Sequence, residues 1–158
     1  MDPATAAPSD AVIKMHLEHL IATRLPNSPI YAFLLSGVRV TSATRGIFRA
    51  RLRLTGNHIN SSGGIHGAAS AAIVDWAGGM AIATWDLRET TGVSVDIHVR
   101  YLSSAREGDE VEIEGTAERV GGAVAFTRVV ISRVREDGGG EVGPVVASGT
   151  HTKYVKQR

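Results

Sequence analysis

Apolar residues recur at helical spacing near the start of the chain. Between residues 11 and 25 they come in pairs three to four positions apart, which gives one apolar face. This pattern predicts an amphipathic helix over residues 11–25. Ser9 or Asp10 can cap its start, and Pro26 ends it because proline lacks the N–H that continues a helix. A loop is predicted at residues 27–29.

The spacing then changes to an alternation of apolar and polar positions, which is typical of half-buried strands. Residues 38–54 alternate in this way and are expected to form one strand, with arginines on its polar face. Four more strands are predicted over residues 93–101, 111–120, 123–134 and 145–155. Gly121-Gly122 joins two of them as a hairpin, and a looser turn over residues 136–140 precedes the last strand.

The segment from Gly63 to Trp85 is small or apolar on every side except at Asp75. A helix without a polar face must be enclosed by protein. A membrane span is the weaker interpretation, because a central aspartate costs about 3 kcal/mol in a bilayer. The order of elements therefore predicts one α+β domain over residues 11–158, with a flexible tail at residues 1–10. One antiparallel sheet is expected to wrap around the long buried central helix.

Composition narrows the possible functions. The 158 residues suffice for one domain with its own core, and the chain has no cysteine, which excludes disulfides, zinc–thiolate sites and a thiol nucleophile. A formal charge of +1 argues against a nucleic-acid-binding face. The N-terminus has neither a basic nor an apolar signal region, so we expect a cytoplasmic or mitochondrial-matrix protein.

The central segment and the residues before it carry a resemblance to a known family. The chain resembles hotdog-fold acyl-CoA thioesterases of the phenylacetate-degradation type in the run Asn57-His58-Ile59-Asn60-Ser61-Ser62-Gly63-Gly64-Ile65-His66-Gly67 and in Ile73-Val74-Asp75. The match continues through Gly92-Val93-Ser94-Val95-Asp96, Arg100-Tyr101-Leu102-Ser103 and His151-Thr152-Lys153, and so covers about residues 36 to 154. The His-Gly pair alone is a weak signal, but the spaced asparagine and aspartate make the pattern specific.

The resemblance implies a hotdog fold and the hydrolysis of fatty or aryl acyl-CoA thioesters to free acid and CoA, as part of fatty acid metabolism. It implies no cofactor, since coenzyme A is part of the substrate. The active sites of this family lie at a dimer interface, and a homotetramer built as a dimer of dimers is expected. Neither nucleic acid nor a membrane is an expected partner.

Thioester hydrolysis needs one group that polarises the carbonyl and another that activates water. Gly67 opens the central helix, where free N–H groups and the positive end of the helix dipole can stabilise an oxyanion. The alternative is a glycine that simply starts a helix. Asp75 is the only charged residue between Gly63 and Trp85. A buried, unpaired carboxylate holds a proton more tightly, which suits a general base, and a carboxylate satisfied by a structural donor is the alternative.

The separation of Gly67 and Asp75 bears on quaternary structure. Eight helical residues span about 12 Å along the axis. A base so far along the helix cannot serve a carbonyl held at the N-terminus of the same helix. Either these roles are wrong, or Asp75 of one protomer acts on a thioester held by Gly67 of another. The resemblance implies the second, and so an obligate dimer.

Three further polar residues receive roles from the resemblance. Asn60 is implied to hold the water or the thioester, His66 to orient the Asn60 amide, and Ser94 to guide the water beside Asp75. His66 as the catalytic base and Ser94 as an ordinary outward strand residue are alternatives. A nucleophilic serine is disfavoured, because the chain contains no nucleophile elbow.

The resemblance also implies where coenzyme A binds, namely at the Arg119-Val120-Gly121-Gly122 turn with Ser94, Tyr101 and Tyr154. Arg119 can pair with a phosphate, and the glycines let backbone amides approach it. A simple hairpin turn is the alternative. The chain departs from many relatives at Ala68, where they have a second glycine, and at Gly122, where they have a basic residue that would contact a phosphate.

Other function classes fit the sequence less well. A hotdog dehydratase would need a catalytic histidine on a hydratase-like motif, and a non-catalytic acyl-CoA-binding module would lack Asp75 or Asn60. Residues 64–67 match the GxxG loop of RNA-binding KH domains, but no basic residue accompanies them. Metal binding is not expected, because the six histidines show no ligand spacing.

Overall fold

The computed structural model describes residues 7–135 and 140–156. Over these residues it contains three α-helices, α1 (Asp10–Arg24), α2 (Pro29–Leu35) and α3 (Gly67–Asp86). α1 is capped by Ser9, whose hydroxyl accepts a hydrogen bond from the backbone N–H of Val12. The prediction of a loop at residues 27–29 is wrong for its last residue, because Pro29 is the first residue of α2. Proline fits this first position, where the missing N–H would have had no partner.

The strands form one antiparallel sheet in the order β1-β2-β4-β5-β6-β3. Within the described residues there are six, β1 to β6 in chain order: Arg39–Thr44, Ile47–Arg53, Val93–Tyr101, Glu110–Val120, Val124–Val134 and Val142–Tyr154. α3 packs on the face of this sheet, where Ile73, Val74, Ala77 and Ala81 have no solvent exposure. The prediction of an α+β domain with an antiparallel sheet around a central helix is confirmed.

The prediction of a single strand over residues 38–54 is wrong. β1 and β2 form a hairpin that turns at Arg45-Gly46, where Gly46 has a φ of +87°. Glycine adopts this conformation without steric cost, which the alternation of apolar residues did not reveal. The Gly46 N–H donates to the buried hydroxyl of Thr84 at 2.8 Å and so ties the turn to α3. The looser turn predicted over residues 136–140 lies almost entirely outside the described residues.

β3 is an edge strand with an irregular pairing to β6. Ser94 pairs with Lys153 and Asp96 with Thr152, so Val95 forms a bulge between them. On its other side β3 pairs with no strand in the described part of the chain. Its apolar side chains are correspondingly open, with Val93 71% and Val95 62% exposed.

α3 is enclosed over its second half only. Every residue from Trp76 to Thr84 is buried, as the apolar segment predicts. Ala68 is exposed, and Ala71 and Ala72 are half-buried, so the first two turns present a small, apolar surface to the outside. Among the described helices, none is long and apolar enough to cross a membrane.

Candidate active site

The N-terminus of α3 presents an unused backbone donor. His66 is the residue before the helix, and its Nδ1 accepts a hydrogen bond from the Ala68 N–H at 3.0 Å. The Gly67 N–H donates to no group within the described residues. A Cβ built on Gly67 would lie 3.4 Å from the ring of Tyr101, an ordinary contact, so the fold itself tolerates a side chain there. The donor therefore remains available to a ligand.

No hydrogen bond joins the side chains of Asn60 and His66 within the described residues, whereas the resemblance implies that His66 orients the Asn60 amide. Asn60 Oδ1 accepts hydrogen bonds from the N–H groups of Ser62 at 2.9 Å and Gly64 at 3.2 Å. The Asn60 side chain therefore closes its own loop, while His66 caps the helix. Because its Nδ1 is an acceptor, neutral His66 carries its proton on Nε2, and its ring is exposed.

Asp75 lies two turns further along α3 and accepts two hydrogen bonds. The Ser94 hydroxyl donates to its Oδ1 at 3.1 Å, and the Tyr31 hydroxyl donates to its Oδ2. About 30% of the Asp75 side chain is exposed. The expectation of a buried, unpaired carboxylate is therefore wrong in this chain, because strand β3 and helix α2 both supply hydroxyl donors to it.

His151 completes this group, although sequence reasoning did not select it as a site residue. Its Nε2 lies 2.9 Å from Ser94 Oγ and 3.5 Å from Asp75 Oδ1. Ser94 has one proton and gives it to Asp75, so Nε2 must be the donor to Ser94. Nδ1 is then a lone pair, buried and without a partner in the described chain. The available signal was the His151-Thr152-Lys153 block of the resemblance.

Burial sets the charge state of these groups. It lowers the pKa of His151, the nearby Lys153 ammonium lowers it further, and the carboxylate of Asp75 acts in the opposite direction. Burial also lowers the pKa of Lys153, again opposed by Asp75. The imidazole is therefore neutral at neutral pH, and it holds Ser94 by donating a hydrogen bond rather than by its charge.

A cavity of about 190 Å³ adjoins Asp75. Its walls come from α1, the turn after it, α2, α3, the loop after α3 and β6, and they include Leu20, Leu25, Tyr31, Met80 and Lys153. Lys153 is only 6% exposed, and its ammonium forms no hydrogen bond or ion pair within residues 7–135 and 140–156. In the same described part of the chain, no cluster of three potential ligand side chains could hold a metal ion.

The residues assigned to coenzyme A divide into two places. The turn after Arg119 is a hairpin in which the Gly121 N–H donates to Val124 O at 2.9 Å. Tyr154 is 46% exposed and pairs with Val124, so it lies beside this turn, as does the Val93 end of β3. Tyr101 lies at the opposite end of β3, where its hydroxyl donates to Gly67 O at 3.3 Å.

One chain therefore holds two separate chemical groups. The open N–H of Gly67 lies near Tyr101, and the carboxylate of Asp75 lies near Ser94, at the other end of the same edge strand. An oxyanion donor and a candidate base are both present, and the geometry of one chain does not bring them together.

Comparison with known proteins shows the family of the chain. A model of the thioesterase superfamily matches residues 62–140. Human acyl-coenzyme A thioesterase 13 is 30% identical over 77% of this chain and 82% of its own length. The crystal structure of zebrafish thioesterase superfamily member 2 superimposes on 93% of this chain and 98% of the zebrafish chain, with a TM-score of 0.72 and 28% sequence identity. The crystal structure of mouse thioesterase superfamily member 2 gives a TM-score of 0.73 at 26% sequence identity. The chain therefore belongs to the thioesterase superfamily, with the hotdog fold of its relatives, and is a thioester hydrolase.

Proposed function

We propose that the protein hydrolyses fatty or aryl acyl-CoA thioesters to the free acid and CoA, with no cofactor beyond the CoA of its substrate. The observation that carries this proposal is the Asp75 carboxylate, held by Ser94 and Tyr31 on a helix whose N-terminal donor at Gly67 is open. The activity named for human acyl-coenzyme A thioesterase 13 supports the choice of substrate class.

The proposed reaction begins with the thioester carbonyl at the N-terminus of α3. The Gly67 N–H and the positive end of the helix dipole stabilise the negative charge that develops on the carbonyl oxygen. His66 presents an Nε2–H beside this donor, and Asn60 shapes the loop that leads to it. A side chain at Gly67 would stand between the backbone and the thioester.

Asp75 then serves as the general base. Water attacks the carbonyl carbon as its proton passes to the Asp75 carboxylate, and the carbon–sulfur bond breaks to release CoA, which takes up a proton. Ser94 is oriented by the neutral imidazole of His151, so it fixes one oxygen of Asp75 and offers its own oxygen to the attacking water. This assignment gives a role to Asp75, Ser94 and His151.

We propose that each site combines two chains. The free edge of β3 is apolar and open, which favours pairing with a second copy of the same strand. Antiparallel pairing centred near Ile97 would bring the Ser94 end of one strand to the Tyr101 end of the other. Asp75 of one protomer would then approach the partner's Gly67. The small, open first turns of α3 would be covered by the same contact, in a dimer that can pair again as a dimer of dimers.

Coenzyme A is proposed to lie along the β4–β5 hairpin. Arg119 is exposed and forms no ion pair within the described chain, so its guanidinium can meet a phosphate. A Cβ at Gly122 would meet no atom within 4 Å, so the turn is open to a ligand. Tyr154 stands beside this turn, and in the proposed dimer Tyr101 of the partner subunit reaches the same end of β3.

The reaction is tested by following free thiol released from short, medium, long and phenylacetyl-type acyl-CoAs. The chain has no cysteine, so every new thiol comes from CoA. We expect Asp75→Asn to lower kcat by about 10²-fold or more, because that is the usual contribution of a general base. Asp86→Asn, an exposed aspartate on the same helix, is the control and should retain activity. CoA binding without turnover would favour a non-catalytic binding module or a dehydratase.

The shared site is tested by mixing two inactive variants, Gly67→Ala and Asp75→Asn, under conditions that exchange subunits. In a shared site, each mixed dimer regains one intact site, and activity recovers to about a quarter of the wild-type rate. If all catalytic groups came from one chain, mixing would restore nothing. A fully active monomer in sedimentation would contradict the same proposal.

A further inference from the structure

We propose that Tyr31 is a positioning residue that fixes the second oxygen of the Asp75 carboxylate and thereby sets the orientation and strength of the base. This inference rests on the proposed role of Asp75 in water activation. Tyr31 comes from α2, a helix that the sequence did not predict, and its hydroxyl donates to Asp75 Oδ2. It is neither part of the family signature nor among the residues expected at the site.

The Asp75 carboxylate is anchored at both of its oxygens. Ser94 on β3 donates to Oδ1, and Tyr31 on α2 donates to Oδ2. Two donors on opposite oxygens, held by different elements, prevent rotation of the carboxylate about its Cβ–Cγ bond. Loss of Tyr31 would leave a single anchor on Oδ1, and the plane of the base could then turn. A base within reach of its proton must keep its geometry to act efficiently.

Polar and charged side chains from several elements face Asp75. Tyr31 approaches from α2, Ser94 from β3, and His151 and Lys153 from β6, while Arg24 and Glu89 on the rim of the cavity pair with each other at 2.7 Å. His151 and Lys153 form no hydrogen bond to the carboxylate within the described residues. Tyr31 and Ser94 are therefore its direct donors, and a hydrogen bond to the charged form makes a carboxylate less willing to take a proton.

Tyr31 keeps its proton. Burial, the hydrogen bond to Asp75 and the negative charge of Asp75 all raise the pKa of Tyr31 above its ordinary value. The phenol therefore stays a donor over the whole working range of pH. Its ring also forms part of the cavity wall, so Tyr31→Phe removes the hydroxyl and keeps the wall.

The test compares the pH profiles of wild type and Tyr31→Phe by thiol release. We expect kcat to fall about tenfold, equivalent to about 1.4 kcal/mol, which is the low end for a hydrogen bond to a charged group. In the pH profile, kcat falls toward low pH. This acidic limb should move to higher pH in Tyr31→Phe, because the carboxylate without this donor takes up a proton more readily. KM should stay close to the wild-type value.

Thr84→Val is the matched control, since it also deletes one buried hydroxyl on the same fold but makes no contact with Asp75. It should lower stability and leave the acidic limb in place. An unchanged limb and kcat in Tyr31→Phe would overturn the proposed role. An equal movement of the limb in both variants would do so too, because it would indicate a general loss of structure.

A second readout separates this inference from the proposed function. The ¹³C signal of the Asp75 carboxyl, followed through a pH titration by NMR, should turn over at higher pH in Tyr31→Phe than in wild type. If wild type releases no thiol from any acyl-CoA, the proposed function fails, and this titration still decides whether Tyr31 acts on Asp75. Identical titrations would overturn the inference whatever the activity.

Discussion

Substituting Gly78 by alanine sets two opposing effects against each other at the contact between α3 and the sheet. A Cβ at this position would lie 2.8 Å from both His151 Nδ1 and Thr127 Oγ1, and 3.2 Å from the Cβ of His151. Alanine in place of glycine within a helix gains about 1 kcal/mol in propensity. Overpacking a closed core costs about 1–3 kcal/mol. Because both neighbours are buried on central strands, we expect the cost to exceed the gain, with a net loss of about 1 kcal/mol.

For a domain of this size that loss lowers Tm by about 2–4 °C, measured by circular dichroism at equal protein concentration. Displacement of His151 should also move its Nε2 away from Ser94 and lower kcat in thiol release at 25 °C. Gly79→Ala is the matched control. The three atoms nearest to its Cβ all belong to Thr91 in the loop after α3, with Oγ1 at 2.8 Å and Cβ at 3.2 Å, and a small shift of this loop residue relieves the contact. A Gly78→Ala protein that melts above wild type, with full activity, would refute the steric argument.

Two further predictions concern stability. Because burial and Lys153 lower the pKa of His151, the unfolded chain takes up a proton that the folded chain refuses once the pH falls below about 6.5. The free energy of unfolding in urea should therefore fall as the pH drops through this range, and it should fall less in His151→Gln. The same pH dependence in both proteins would contradict the lowered pKa of His151. Thr84→Val leaves the buried N–H of Gly46 without an acceptor and should lower the free energy of unfolding by about 1–3 kcal/mol. Thr23→Val, at an exposed position, should lower it by about 0.5 kcal/mol or less. Equal losses in the two variants would argue against the hydrogen bond between the β1–β2 turn and α3 as a source of stability.

The sequence predicts those parts of the fold that depend on local periodicity. The all-apolar segment locates α3, and the alternation of the later strands locates β3 to β6, because successive side chains of a strand point to opposite faces of the sheet. The β1–β2 turn escaped prediction, since the alternation continues on both sides of Gly46 and only its backbone conformation marks the reversal. α2 was missed because it has just seven residues and begins with a proline.

The residues of the candidate site could also be predicted only in part. Gly67 and Asp75 could be selected because one begins the central helix and the other is its single charge before Trp85. Tyr31 and His151 lie 44 and 76 residues from Asp75 in the chain, and no local pattern links them to it. Their contact is created by the packing of α2 and β6 on α3. Whether Asp75 has a structural donor was likewise a question of long-range packing, which a single sequence does not contain.

The bulge at Val95 has a consequence for how one strand can serve both halves of a site. Ser94 and Tyr101 are separated by seven positions, an odd number, so a regular strand would point them to opposite faces of the sheet. The extra residue in the bulge switches the face of the sheet to which the residues before it point. Both side chains then reach α3, Ser94 at Asp75 and Tyr101 at Gly67. This irregularity also explains why Ser94 reads in the sequence as an outward residue, beside Asp96 and His98. A chain that lost Val95 could keep its sheet and its helix and still turn one of the two contacts outward.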